Sequence, residues 1–278
     1  MKDTNYTATW VSHSSISDFL KCPKAYFLHN VYKDPKTRHK ITIINPALAL
    51  GQSVHEVLEA LSTIRVEERL KVPLLDKYNE TWNKISGKRG GFKSPEEESI
   101  YKERGRLMIQ RVIDHPGPFS NKAVALKITD PSFPLPRFQI STKDNIILCG
   151  KIDWMEFVSE IDSVHIIDFK TGKIEEDPNS LQLAIYCLLV KNLQRRNIHK
   201  VSYWYLDSEN EPREVKMPDL DSAKKRVIDI ACEIKELRVR RIFSCPKNGC
   251  YTCKQYITII NGDAELVGTT DYQDIYVI

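Results

Sequence analysis

The chain has 278 residues, 41% apolar and 28% charged, a composition typical of soluble globular proteins and long enough for a sizeable core. Forty-one basic residues against 37 acidic ones leave a net charge of +4, too small to announce nucleic-acid binding by itself, so any such surface must be local. No run approaches the roughly 18 consecutive apolar residues of a spanning helix, and the opening "MKDTNYTATW" lacks a signal-peptide pattern, which makes the cytoplasm the expected compartment and a membrane an unexpected partner.

Helix is expected over residues 14–33, broken at Pro23, with Ser15 and Asp18 as a candidate cap for its amphipathic first half. The basic loop "KDPKTRHK" follows, then a helix over 46–64 with proline near its first turn. Further helices are expected at 68–86 and 96–114, separated by the glycine- and lysine-rich "GKRGGFKSP". The pattern then changes to short strands at 122–128, 136–141, 145–158 and 163–170, a helix at 179–195, a strand in "KVSYWYLD" and a last amphipathic helix at 221–238. No repeat of domain scale is present, although the pentapeptide "ITIIN" occurs at 41 and again at 257.

Seven cysteines in a chain without a secretion signal point to ligands or core thiols. Cys149, Cys187 and Cys232 stand in apolar settings and read as small hydrophobes. Cys245, Cys250 and Cys253 in "CPKNGCYTC" are three thiols within nine residues, punctuated by Pro246 and Gly249, and read as a metal loop one ligand short. No histidine follows His199, and Cys22, followed like Cys245 by proline, is the best fourth donor. Zinc and an iron–sulfur cluster suit four thiolates equally.

A register argument applies to the strands. If "GKIDWMEFV" and "SVHIIDFK" form an antiparallel hairpin closed by 159–162, with Val158 facing Ser163, then Asp153 falls opposite Asp168. Two such carboxylates repel each other unless a cation lies between them, and hard divalent ions prefer that kind of oxygen ligand. Asp168 and Lys170 lie two apart and face one side of their strand. On the helix over 46–64, Gly51, His55 and Glu59 share one face, the glycine leaving room for another backbone.

The order "GQSVHEVLE", "GKID", "DFKTGK", "QLAIY" resembles the RecB-type branch of the PD-(D/E)xK nucleases, including the CRISPR-associated and AddB-like iron–sulfur members, and the likeness spans residues 14–255. The resemblance implies an α/β restriction-endonuclease-like core with a mixed central sheet flanked by helices, a helical N-terminal part and a C-terminal iron–sulfur loop. The chain then reads as one nuclease domain, 1–278, with a helical insertion at about 65–120 and an unassigned tail, 257–278. By the same resemblance, His55, Asp153, Asp168 and a backbone carbonyl near Phe169 hold Mg²⁺ or Mn²⁺, Lys170 acts on the attacking water, and Gln182 and Tyr186 complete the site. Glu59 is left between orienting a ligand and facing solvent. A 4Fe-4S cluster on Cys22, Cys245, Cys250 and Cys253 is implied, with zinc as the alternative. The spacing of the late cysteines, four residues and then two, departs from AddB-like members, which place the short gap first.

The implied activity is metal-dependent exonuclease action at DNA ends, often single-stranded, in recombination, repair or CRISPR adaptation, with a helicase or CRISPR integrase as conceivable partner. Lys33–Lys40 and Lys88–Lys93 are candidate backbone contacts, with Phe92 as a base-stacking residue. The alternatives are a non-catalytic end-binding subunit and a zinc-stabilised nucleic-acid adaptor.

Overall fold

The structure, a computed structural model, describes residues 8–128 and 130–278. In chain order its elements are β1 (Thr9–Val11), α1 (His13–Lys21), α2 (Pro23–Tyr26), β2 (Lys40–Ile43), α3 (Pro46–Ala60), α4 (Val66–Arg69), α5 (Leu74–Lys84) and α6 (Pro95–Asp114). There follow β3 (Arg137–Ser141), β4 (Ile146–Cys149), β5 (Trp154–Val158), β6 (Ser163–Lys170), α7 (Gln182–Leu193), β7 (Asn197–Tyr205) and β8 (Arg213–Val215). The chain closes with α8 (Leu220–Arg240), α9 (Tyr251–Ile260), β9 (Glu265–Thr269) and β10 (Gln273–Val277). Its contacts divide it into two compact units, one of residues 8–45, 138–149 and 224–278, the other of residues 46–137 and 150–223. The segment read as a helical insertion belongs to the second.

In the first unit the cap of α1 is Ser12, not Ser15. The helix starts at His13, one residue early, the Ser12 hydroxyl accepts from Ser15 N and the Ser15 hydroxyl accepts from Ser12 N in return, a reciprocal cap. Asp18 instead pairs with His29 Nδ1 at 2.8 Å. As expected, the helix breaks at Pro23, where Cys22 ends α1 and begins α2. The tail is ordered structure: β10 pairs parallel to β2 and antiparallel to β9. Asp274, 2% exposed, accepts from Thr37 Oγ1 at 2.7 Å and contacts His39 Nδ1 at 2.9 Å, which ties the tail to the basic loop.

The second unit packs helices and a four-stranded sheet in the order β5-β6-β7-β8. A Cβ at Gly105 of α6 would meet the Tyr78 hydroxyl at 2.1 Å, so only glycine permits this approach of α6 to α5. Phe92 stacks on Trp82 with ring centroids 5.4 Å apart and is 6% exposed. It is core, which corrects its reading as a base-stacking residue. The helix expected at 68–86 divides into α4 and α5 around Pro73, which cannot continue a helix from within.

The hairpin register is the expected one, from Val158↔Ser163 to Trp154↔Ile167. Asp162, at φ 43°, completes its turn. The expected strand at 145–158 is interrupted by residues 150–153, so Asp153 stands just before the ladder, and the segment at 122–128 reaches β5 only by a bridge at Ala123↔Glu156. Strand β6 pairs parallel to β7 through the crossover helix α7, whose residues 183–190 are all buried. Each large apolar side chain so buried contributes about 1.5–3 kcal/mol.

The sheet also holds a polar chain. Glu156 Oε1 meets His165 Nδ1 at 2.8 Å, and His165 Nε2 meets Ser202 Oγ at 2.7 Å. Burial holds the His165 pKa below its usual value despite Glu156, so the neutral ring donates from Nδ1 and accepts from the serine. The order resembles a nucleophile–base–acid relay, but Ser202 is 1% exposed and no substrate reaches it.

Candidate active site

Helix α3 and the β5–β6 hairpin, both in the second unit, supply the donors. His55 Nδ1 lies 3.3 Å from Glu59 Oε1 and 3.6 Å from Asp153 Oδ2. The ligand atoms of these three residues all lie within 4.8 Å of one another. They line an open cleft of about 580 Å³ together with Gln52, Lys151 and Ile152. Glu59 also carries an ion pair with Lys151. Asp153 accepts the Phe169 backbone N–H at 2.9 Å, the local bond that sets this carboxylate at the end of β6. Gly51 gives α3 its close approach to the turn after Lys170, since a Cβ there would meet Thr171 Oγ1 at 3.2 Å.

Asp168, buried, and Lys170, partly exposed, stand at the C-terminal end of β6. Lys170 Nζ reaches Asp168 Oδ2 at 3.0 Å, Glu176 Oε2 at 2.5 Å and Gln182 Oε1 at 2.6 Å. Gln182 turns its other amide atom to Asp168 Oδ1 at 2.5 Å, so one side chain spaces both charged groups. Tyr186, one turn along α7, receives an N–H from the same amide at 3.3 Å. Thus His55 and Asp153 come together with Glu59, and Asp168, Lys170, Gln182 and Tyr186 form an adjoining hydrogen-bonded group; Asp168 is not a member of the three-residue donor set.

The electrostatics show surplus negative charge. Burial disfavours a proton on His55, yet the hydrogen bonds and charges of Asp153 and Glu59 outweigh it and raise its pKa to about 10. Burial and then the Asp153 charge lift the Asp168 carboxyl to about 7, against the pull of Lys170. Burial opposes the Lys170 charge, but Asp168 and Glu176 more than offset it and its pKa is raised. Groups that hold protons so firmly sit where added positive charge is welcome. Asp168 Oδ2 is buried, and the charge it meets there is the Lys170 ammonium at 3.0 Å. One imidazole and several carboxylate oxygens therefore fit a divalent cation.

Glu176 is absent from the sequence reading. It lies in the loop before α7, where no periodicity marks it, and only the fold returns it to Lys170. Lys151 is likewise missed, although it stands beside Asp153 in "GKID".

In the first unit the sulfurs of Cys22, Cys245, Cys250 and Cys253 also lie within 4.8 Å of one another. Cys22, Cys253, Leu28, Ile41 and Tyr256 belong to one buried cluster. Burial raises the Cys22 thiol to about 12. Burial also opposes ionisation of Cys245, but amide N–H donors from Gly249, Lys247 and Cys250 outweigh it and lower its pKa to about 6. The Cys250 amide is 3.2 Å from that sulfur, and the Ala25 amide 3.4 Å from Cys22 Sγ. Amide donors aimed at sulfur favour thiolate, the form that binds metal. The set fits zinc or an iron–sulfur cluster.

The family profile described as the PD-(D/E)XK nuclease superfamily matches residues 10–255. The chain belongs to the PD-(D/E)XK nuclease superfamily, in agreement with its mixed α/β architecture. No curated protein matches it. No helix among the described residues is long and apolar enough to cross a membrane.

Proposed function

We propose that this protein is a divalent-metal-dependent exonuclease that hydrolyses phosphodiester bonds at DNA ends, in recombination, repair or CRISPR adaptation. The observation that carries the reading is the convergence of His55, Glu59 and Asp153 in one cleft of a chain that belongs to a nuclease superfamily. Asp153, Asp168 and His55, with the backbone at Phe169 and with Glu59, would hold Mg²⁺ or Mn²⁺. That ion supplies charge stabilisation at the scissile phosphate and acidifies water. Lys170, aimed by Gln182 and Glu176, orients the attacking water and offsets charge that grows on the phosphate. Gln182 keeps Lys170 and Asp168 at fixed separation, and Tyr186 braces Gln182. The acids and the lysine are all present, which favours catalysis over a binding-only subunit.

The four thiols are assigned to a 4Fe-4S cluster, on the strength of the RecB-type resemblance, in a compartment that keeps them reduced. Anaerobic purification tests it: a brown protein with iron supports the cluster, a colourless one with zinc replaces it. The nuclease reading is tested on end-labelled linear single- and double-stranded DNA and on closed circles, with Mn²⁺ and with EDTA. Mn²⁺-dependent loss of linear substrate with circles spared is expected; cleavage of circles at the same rate contradicts the exonuclease assignment.

A further inference from the structure

A second cavity of about 270 Å³ in the same unit shares Ser62, Lys151, Ile152 and Asp153 with the candidate metal cleft. The rest of its lining is apolar and includes Val124, Leu126, Ile128, Pro134 and Trp154. Of these, Ile128 is 45% exposed and Trp154 is buried at 1%.

The walls are held before any ligand arrives. Arg69, 2% exposed, donates to the carbonyls of Leu61, Ile64, Phe119 and Asn121 at 2.7–3.0 Å and lies over the Trp154 ring at 5.0 Å. The loop carrying Pro134 is closed by Asp130, which accepts from Ser132 N at 2.9 Å and Arg137 Nη2 at 2.7 Å. Such preorganisation lowers the ordering cost of binding. The volume falls just below the roughly 300–1,000 Å³ of drug-sized sites and suits one planar heterocycle.

From this continuity we infer that the pocket is a nucleobase subsite: it receives the unpaired base of the nucleotide at the strand end, while the adjoining phosphate lies toward Asp153 in the cleft. Lys151, common to both cavities and 64% exposed at its side chain, is the cation placed to meet that phosphate. A paired base in a duplex interior cannot enter an apolar pocket without leaving its stack, so the subsite selects ends that are frayed or single-stranded. The inference rests on the nuclease reading above and names the feature of the substrate that the site recognises.

The test measures binding without cleavage. Short single strands carrying 2-aminopurine or an abasic sugar at one end, then at the other, are titrated in EDTA at low salt with the parent, Ile128→Asp and Ile128→Leu. The parent is expected to bind one base-ended strand about tenfold more tightly than its abasic counterpart, within the range for sequestering one base, and to change the 2-aminopurine emission. Ile128→Asp should erase the preference and Ile128→Leu should keep it. Equal affinity of the parent for base-ended and abasic strands at both ends, or an unchanged preference in Ile128→Asp, overturns the subsite. Mn²⁺-dependent cleavage is then read separately. A base preference without cleavage leaves the subsite standing and removes the nuclease reading; cleavage without a base preference does the reverse.

Discussion

The four thiols and the histidine–carboxylate cleft gather metal-type donors in different ways. Cys22 and the cysteines at 245–253 come from distant stretches of the sequence, yet their sulfurs sit in an apolar cluster where amide N–H groups bring Cys245 toward thiolate. His55, Glu59 and Asp153 line an open cleft, and their negative charge is met by Lys151 and by a proton on His55. The thiol group lies within packed structure, and its loss is expected to act on folding. The oxygen group borders solvent with Lys170 and Asp168 beside it, and its loss is expected to act on chemistry.

Mutation can break that contrast. The largest effect is expected from Asp153→Ala and Asp168→Ala, which should lower single-turnover cleavage by about 10³-fold, the upper range for one electrostatic group at a reacting centre. Calorimetric titration should show Mn²⁺ binding weakened in both, with thermal stability near that of the parent. Cys22→Ala should behave oppositely. Iron or zinc content should fall and Tm should drop by about 10 °C, as for Cys253→Ala, because metal binding is part of the folding free energy. A Cys22→Ala protein with full metal content would remove Cys22 from the group.

Smaller changes sharpen the comparison. Glu176→Gln retains an acceptor near Lys170 but removes one charge, so cleavage should fall by about threefold to tenfold with DNA affinity unchanged. An unchanged rate would make Glu176 a bystander. The buried His165 offers a test of pH. Its folded pKa lies below the usual 6.5, so the unfolded chain binds more protons below that pH, and stability should fall as pH drops from about 6.5 toward the folded pKa, by at most about 1.4 kcal/mol per pH unit. Glu156, Lys200 and Glu214 act on the same ring. Raised pKa values at His55 and Asp168 act in the opposite direction over the same range, so the His165 effect is read as a difference: in urea unfolding, the stability of His165→Gln relative to the parent should be higher at pH 5.0 than at pH 7.5.

Much of this was legible in the sequence because strand periodicity is strict. Pairing Val158 with Ser163 decided every later pair, and the ladder keeps that register to Trp154↔Ile167. The cysteine group was legible because spacing and chemistry select few partners. What was hidden depended on tertiary context. The pentapeptide at 41 supplies strand β2 and its copy at 257 closes helix α9, so local propensity could not decide either. Phe92 looked exposed among glycines and lysines, but Trp82 and Tyr101 cover it. Glu176 and Lys151 reach the site by loop closure and by a single ion pair, neither of which leaves a period in the sequence.

The central claim is that Lys170 acts on the reaction and is more than the ion-pair partner of Asp168. Single-turnover cleavage of end-labelled single-stranded DNA in Mn²⁺, by the parent and by Lys170→Ala at matched metal saturation, tests it most directly. The parent should cleave and stop on addition of EDTA, and the variant should be slower by a factor on the order of 10² or more. A Lys170→Ala protein that cleaves at near the parent rate would contradict the claim.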